Sequence, residues 1–149
     1  MSRDHKKLRV FHDAHALTLA IYKHTKGFPK EEWFGLRQQM RRAATSTPSN
    51  IVEGSARRTT ADYLKFLYIA LGSACEVKYL VGLATDLELL TGTAIQLLAD
   101  RCDHVVRQME RLVESVEALL ASERRSRRRA RRAMLVAERR KPDAGSRKP

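Results

Sequence analysis

Apolar residues recur at the three-to-four spacing of a helix face along four stretches of this chain. The first covers about 11–26, with Ala14, Leu17 and Ile21 on one face and Gly27-Phe28-Pro29 as its stop. The second is expected to begin near Lys30, where Glu31 and Glu32 suit the positive end of a helix dipole. Its stripe runs through Phe34, Met40 and Ala44, with Trp33 and Leu36 alongside. The third opens at a Thr59 or Thr60 cap with Asp62 in its first turn, and carries a broad face from Tyr63 and Phe66 to Leu80 and Val81, crossed by Gly72 and Gly82. The fourth starts after Thr91-Gly92 and keeps a period near 3.6 from Ile95 through Leu98, Cys102, Val105 and Met109 to Leu120.

Four helices joined by short connections favour antiparallel neighbours, so the fold class expected is all-α, an antiparallel up-and-down four-helix bundle. The organisation expected is an N-terminal arm at 1–10, the bundle at 11–122 and an Arg-rich tail at 123–149. The stripes of helices 3 and 4 are wider than one core seam requires, which suggests self-association. A mid-helix glycine is unfavourable, so Gly72 is expected to mark a close helix crossing.

Pro48 interrupts the second helix, inside Thr45-Ser46-Thr47-Pro48-Ser49-Asn50-Ile51-Val52-Glu53-Gly54. Either the helix bends there, with the hydroxyls of Thr45, Ser46 and Thr47 satisfying freed backbone groups, or the segment is a turn between two helices. Asn50, Glu53, Ser73 and Glu76 form the polar set of the body. They are read as an interhelical hydrogen-bond network, with Arg41, Arg42, Arg57 and Lys78 as candidate partners, in preference to a ligand site.

These same residues carry a resemblance. The chain resembles the bacterial four-helix-bundle proteins called 23S rRNA intervening-sequence proteins, and the related accessory variability determinants of diversity-generating retroelements. The matching blocks are Phe28-Pro29 with Glu32, Phe34-Gly35-Leu36 and Gln39, then Arg42-Ala43-Ala44 with Ser46, Pro48, Asn50-Ile51 and Glu53-Gly54. Arg57 or Arg58 with Tyr63, Phe66-Leu67 and Ala70 follow, then Gly72-Ser73, Glu76 and Leu80. The match covers roughly 11–120; Thr47 and Val52 depart slightly from the pattern, and the chain after Ser122 lies outside it. The resemblance implies a homopentameric ring. For the retroelement relatives it implies an accessory role beside a reverse transcriptase and its template RNA; for the others it implies no defined activity.

Charge changes the picture most. The formal net charge is +12 over 149 residues. Residues 123–149 hold twelve basic and three acidic side chains, a net of +9, which leaves +3 for residues 1–122. Arg124, Arg125, Arg127, Arg128, Arg129, Arg131 and Arg132 place seven guanidinium groups in nine residues. Such a segment must be exposed, as a disordered arm or as an extension of helix 4, with Pro142 ending any helix and 143–149 a loose terminus. Dense arginine binds phosphate bidentately, stacks on unpaired bases and releases counterions. The expected partner is therefore nucleic acid, RNA in particular, with Arg37, Arg41, Arg42, Arg57 and Arg58 as further contacts on the body. The alternatives are a solubilising tail on a protein-binding scaffold and, weaker still, a membrane anchor, for which Met134, Leu135 and Val136 are too few.

No catalytic residue, metal site or cofactor is assigned. There is no Walker loop, no nucleophile motif and no Glu-x-x-His pair. Asp100, Asp103 and His104 read as a solvated face, and Arg101 and His104 stand too close in sequence for the Arg–His spacing of bundle-type ribonucleases. Cys75 and Cys102 read as small buried side chains of a reduced, cytoplasmic protein. No unbroken run of about 18 apolar residues occurs, so no membrane span is expected.

Overall fold

The computed structural model describes residues 3–139. It contains four α-helices: α1 (Arg9–His24), α2 (Leu36–Ser55), α3 (Thr60–Asp86) and α4 (Thr93–Arg139). Among the described residues there is no strand. Each helix packs on two neighbours, α1 on α2, α2 on α3, α3 on α4 and α4 back on α1, which closes an up-and-down bundle. Ile21, Met40, Ile51, Leu67, Val77, Leu98, Val105 and Met109 are its fully buried centre.

Local chemistry sets several of the helix ends. The Thr59 hydroxyl accepts from the Asp62 backbone N–H at 3.0 Å and donates to the Asp62 carboxylate at 2.7 Å, which caps α3. That hydrogen bond, with Lys65 behind it, lowers the Asp62 pKa. Gly92 takes a left-handed φ of 61° at the entry to α4, a conformation that costs glycine little. The second helix starts later than its acidic residues suggest. Lys30–Glu32 forms a separate 3-10 turn, and the Glu32 carboxylate reaches forward to accept from the Leu36 N–H at 3.1 Å. Phe34, expected on the core stripe, falls in this break and is 87% exposed.

Pro48 lies inside a continuous α2, so the segment is helix and the turn between two helices is ruled out. A proline at 48 leaves the carbonyl of Ala44 without its intrahelical donor. The Thr18 hydroxyl of α1 supplies the replacement, 2.8 Å from the Ala44 oxygen. The neighbouring hydroxyls do other things. Thr45 and Thr47 donate to the carbonyls one turn back, Arg41 and Ala43, and Ser46 bonds Ser73 of α3 at 2.8 Å.

The close crossing is at Gly54, not Gly72. A Cβ added at Gly54 would lie 2.8 Å from Phe66 Cβ and 3.1 Å from the Tyr63 ring, whereas nothing lies within 4 Å of one at Gly72. Gly72 instead sits on the outer side of α3 with Tyr68, Cys75 and Tyr79, at spacings of four, three and four residues. Cys75 is therefore exposed, contrary to the expectation from sequence, while Cys102 is buried and its thiol is pushed up to about 12. By length and composition α3 could cross a membrane, with a mean hydropathy of 1.4 over its most apolar window. In the bundle its inner face is part of the core.

The arginine-rich segment is helical. α4 continues unbroken past the bundle to Arg139, which settles the choice between disorder and extension for the described part of the tail. Arginine and alanine are strong helix formers, so the segment keeps the conformation that the bundle nucleates. Residue 1–2 of the expected N-terminal arm, residues 140–149 of the tail, Pro142 and the loose terminus at 143–149 lie outside the described residues. Within the arm, His5–Lys7 forms a 3-10 turn and α1 begins at Arg9.

Candidate nucleic-acid interface

The extension begins where α4 leaves its last neighbour. The Thr60 hydroxyl at the start of α3 donates to Glu123 Oε1 at 2.7 Å and accepts from the Arg3 guanidinium at 2.9 Å. Beyond that contact every residue from 124 to 139 is exposed. Sixteen residues at about 1.5 Å each make a rod of about 24 Å. Projected at about 100° per residue, the seven arginines from Arg124 to Arg132 fall within an arc of about 200°. Ser126, Ala130, Ala133, Met134 and Ala137 occupy the remaining arc. No carboxylate among the described residues forms an ion pair with any of the seven arginines. Their charge faces water along one broad side.

The five body arginines fall in two places. Arg57 and Arg58 lie at the same end of the bundle as the root of the extension, beside Arg3, whose Nη1 donates to the Arg57 carbonyl at 3.5 Å. Arg57 is already engaged: it lies over the Phe66 ring at 4.5 Å and pairs with Glu53 one turn back. Arg58 is exposed. Arg37, Arg41 and Arg42 share a cleft at the other end, of about 440 Å³, with Tyr22, Trp33, Phe34, Gln38 and Thr45. The Arg37 guanidinium stacks 4.9 Å from the Trp33 ring centre, and that of Arg41 lies 4.6 Å from Tyr22. The aromatic members of this cleft are hidden in the sequence, where Phe34, with Trp33 alongside, reads as part of a core stripe. The signal was available: adjacent residues cannot both face one side of a helix, and Gly35 follows them.

The polar set of the body is smaller than expected. Asn50 Nδ2 donates to Ser46 Oγ at 3.0 Å and to the Ser46 carbonyl at 2.8 Å, and Ser46 meets Ser73 across the α2–α3 seam. Glu53 pairs with Arg57, one of its expected partners, and does not join Asn50 and Ser73, while Glu76 opens on a cavity with Gln39, Arg42, Ser46 and Ser73. Lys78, by contrast, is not a partner of this set: its ammonium pairs with Asp103 of α4 at 2.8 Å. That hydrogen bond lowers the Asp103 pKa and raises that of Lys78.

Asp100, Asp103 and His104 line one open cavity of about 610 Å³ with Asp13, Arg101 and Arg107, but each is bonded to a different neighbour and they form no metal-ligand group among the described residues. Asp100 accepts from Gln96 at 2.7 Å, Asp103 holds Lys78, and His104 faces Asp13 of α1 at 3.3 Å. Each side chain is used in a different direction, so the three make no ligand set.

A family model described as 23S rRNA-intervening sequence protein matches residues 6–111. A crystal structure described as a protein of unknown function from the S23 ribosomal protein family of Bacteroides thetaiotaomicron aligns with a TM-score of 0.64. The alignment covers 70% of this chain and 95% of that one at 21% identity, a likeness of fold alone. No curated protein sequence matches. Neither description names a catalytic activity. The matched region ends within α4, before the arginines of the extension.

Proposed function

Since the chain belongs to the 23S rRNA-intervening sequence protein family, we propose that it is a non-enzymatic, self-associating bundle that binds nucleic acid, structured RNA in particular, through the arginine face of α4. The observation that carries this reading is the α4 extension itself, a preformed helix with seven guanidinium groups on one arc, none ion-paired with a carboxylate among the described residues. A segment already helical loses less conformational entropy on binding than a disordered one. Its arginines suit phosphate oxygens, and several copies presented together would add by avidity. An accessory role beside a reverse transcriptase belongs to the same proposal, since a template RNA is the kind of ligand such a rod suits.

The direct test compares the full chain with a version ending at Ser122, each titrated with a structured RNA at low and moderate salt. Loss of binding on truncation, together with a steep salt slope in the full chain, is the expected result. Equal and salt-insensitive binding by both would return the chain to a protein-binding scaffold.

Self-association is proposed through the outer side of α3, where Tyr68, Cys75 and Tyr79 expose apolar surface around Gly72. A pentamer is the state that the family resemblance implies. Thiol labelling reads this face directly. Cys75 is expected to react in dilute protein and to become protected as concentration rises, while Cys102 stays unreactive until the chain unfolds. Labelling of Cys75 at one rate across all concentrations would remove this face from the assembly.

A further inference from the structure

We propose that the cleft between the end of α1 and the start of α2 is a stacking site for an unpaired nucleobase, with Arg37 and Arg42 holding its flanking phosphates. The class of ligand rests on the nucleic-acid reading above, but the site is separate from the extension. Hydrogen bonds from α4 to α1 place Arg101 beside Ala16 and Gln108 beside Asp13, so the two helices run antiparallel. The cleft therefore lies toward the end of the bundle opposite the one from which the arginine rod leaves.

Three observations converge on this cleft. Phe34 presents its ring to solvent at 87% exposure and adds nothing to the core. Its neighbour Trp33 is held in place, with Nε1 donating to the Phe28 carbonyl at 3.0 Å and Arg37 stacked on its face at 4.9 Å. Arg41 is likewise fixed, Nε donating to Thr25 Oγ1 at 3.0 Å, so it builds the wall and leaves Arg42 exposed at the rim. Guanidinium groups alternate with aromatic rings, and no carboxylate lines the space. Aromatic platforms interleaved with arginine bind single strands, because every base offers a π-face and every linkage a negative charge. A volume of about 440 Å³ admits a nucleobase. A second copy of this chain is a poorer occupant, since its own net charge of +12 opposes a basic cleft.

Trp33 is the only tryptophan of the chain, so its emission reports on this cleft alone. The full chain is titrated with a fluorescein-labelled oligouridylate and, separately, with a labelled blunt-ended RNA duplex, reading anisotropy and Trp33 emission together. The single strand is expected to quench Trp33, and the duplex, held on the rod, is expected to bind without quenching. Phe34→Ala should weaken single-strand binding roughly tenfold and leave duplex binding unchanged. Phe34→Tyr, which keeps a ring, should restore it. The inference is overturned if Phe34→Ala binds the single strand as tightly as the native chain, or if Trp33 ignores a strand that anisotropy shows bound. It is equally overturned if Phe34→Ala lowers only the sedimentation mass, since the cleft is then a contact between copies. In all three cases duplex binding through the rod stands. Failure of every nucleic acid to bind would remove the proposed function as well.

Discussion

Changing Arg124, Arg125, Arg127, Arg128, Arg129, Arg131 and Arg132 together to glutamine is expected to weaken structured-RNA binding by a hundredfold or more in dilute salt. An arc of about 200° cannot meet one ligand with all seven side chains at once. Contact by about four is a reasonable count, and each neutralised phosphate contributes close to one unit of log–log salt slope. The slope should therefore flatten by about four. Glutamine matches arginine in helix propensity, so the rod persists and circular dichroism should stay unchanged. Lysine at the same seven positions keeps the charge but loses the two-pronged fit to phosphate. That variant should retain most of the slope and lose a smaller part of the affinity. Native-like affinity in the glutamine variant, measured by anisotropy, would mean that the extension is not where RNA binds.

The second large effect concerns stability, at Thr18. Its hydroxyl is the donor that replaces the N–H missing at Pro48, 2.8 Å from the Ala44 oxygen in a buried setting. It also lies 3.0 Å from the Ala14 oxygen, but that carbonyl has an ordinary helical donor in the Thr18 backbone N–H. Thr18→Val keeps the shape and removes the proton, leaving the Ala44 carbonyl buried and unpaired. Such a loss costs about 2 kcal/mol, from a usual span of about 1–3. A fall of roughly 5–10 °C in the thermal midpoint follows for a domain of this size. Pro48→Ala restores a backbone N–H at 48 that can bond Ala44 within α2. In that background Thr18→Val should cost under about 0.5 kcal/mol. The coupling between the two sites, read from a double-mutant cycle of denaturant unfolding, separates this account from simple packing loss. Additive effects of the two substitutions would refute it.

The features legible in the sequence were those written within one helical turn or one uninterrupted stripe. Thr59 with Asp62 is a local cap, and the Ile95-to-Leu120 pattern of α4 needs no tertiary knowledge. The Thr18–Ala44 bond was hidden because its partners are 26 residues apart. Glycine composition alone does not say which helical glycine meets a neighbour: mid-helix position favours Gly72, but the contact is at Gly54. Phe34 and Cys75 were assigned to the interior by residue type, and each lies outside for a positional reason: a break at Gly35 in one case, the outer side of α3 in the other. The arginine face was visible as charge, but its helical order depends on nucleation by the bundle beneath it. The cleft is partly visible in the sequence: Arg37, Arg41 and Arg42 stand out as charge, and the aromatic rings between them do not.

The unbroken α4 also acts as a ruler. The antiparallel pairing with α1 sets Tyr22 at the level of Ile95, and from there to Arg125 the rod measures about 45 Å. A B-form duplex spans that distance in about thirteen base pairs at roughly 3.4 Å each, and an A-form RNA duplex, whose rise is shorter, needs more before an unpaired end can reach the cleft. Oligonucleotides shorter than this footprint can occupy either end of one subunit but cannot bridge both.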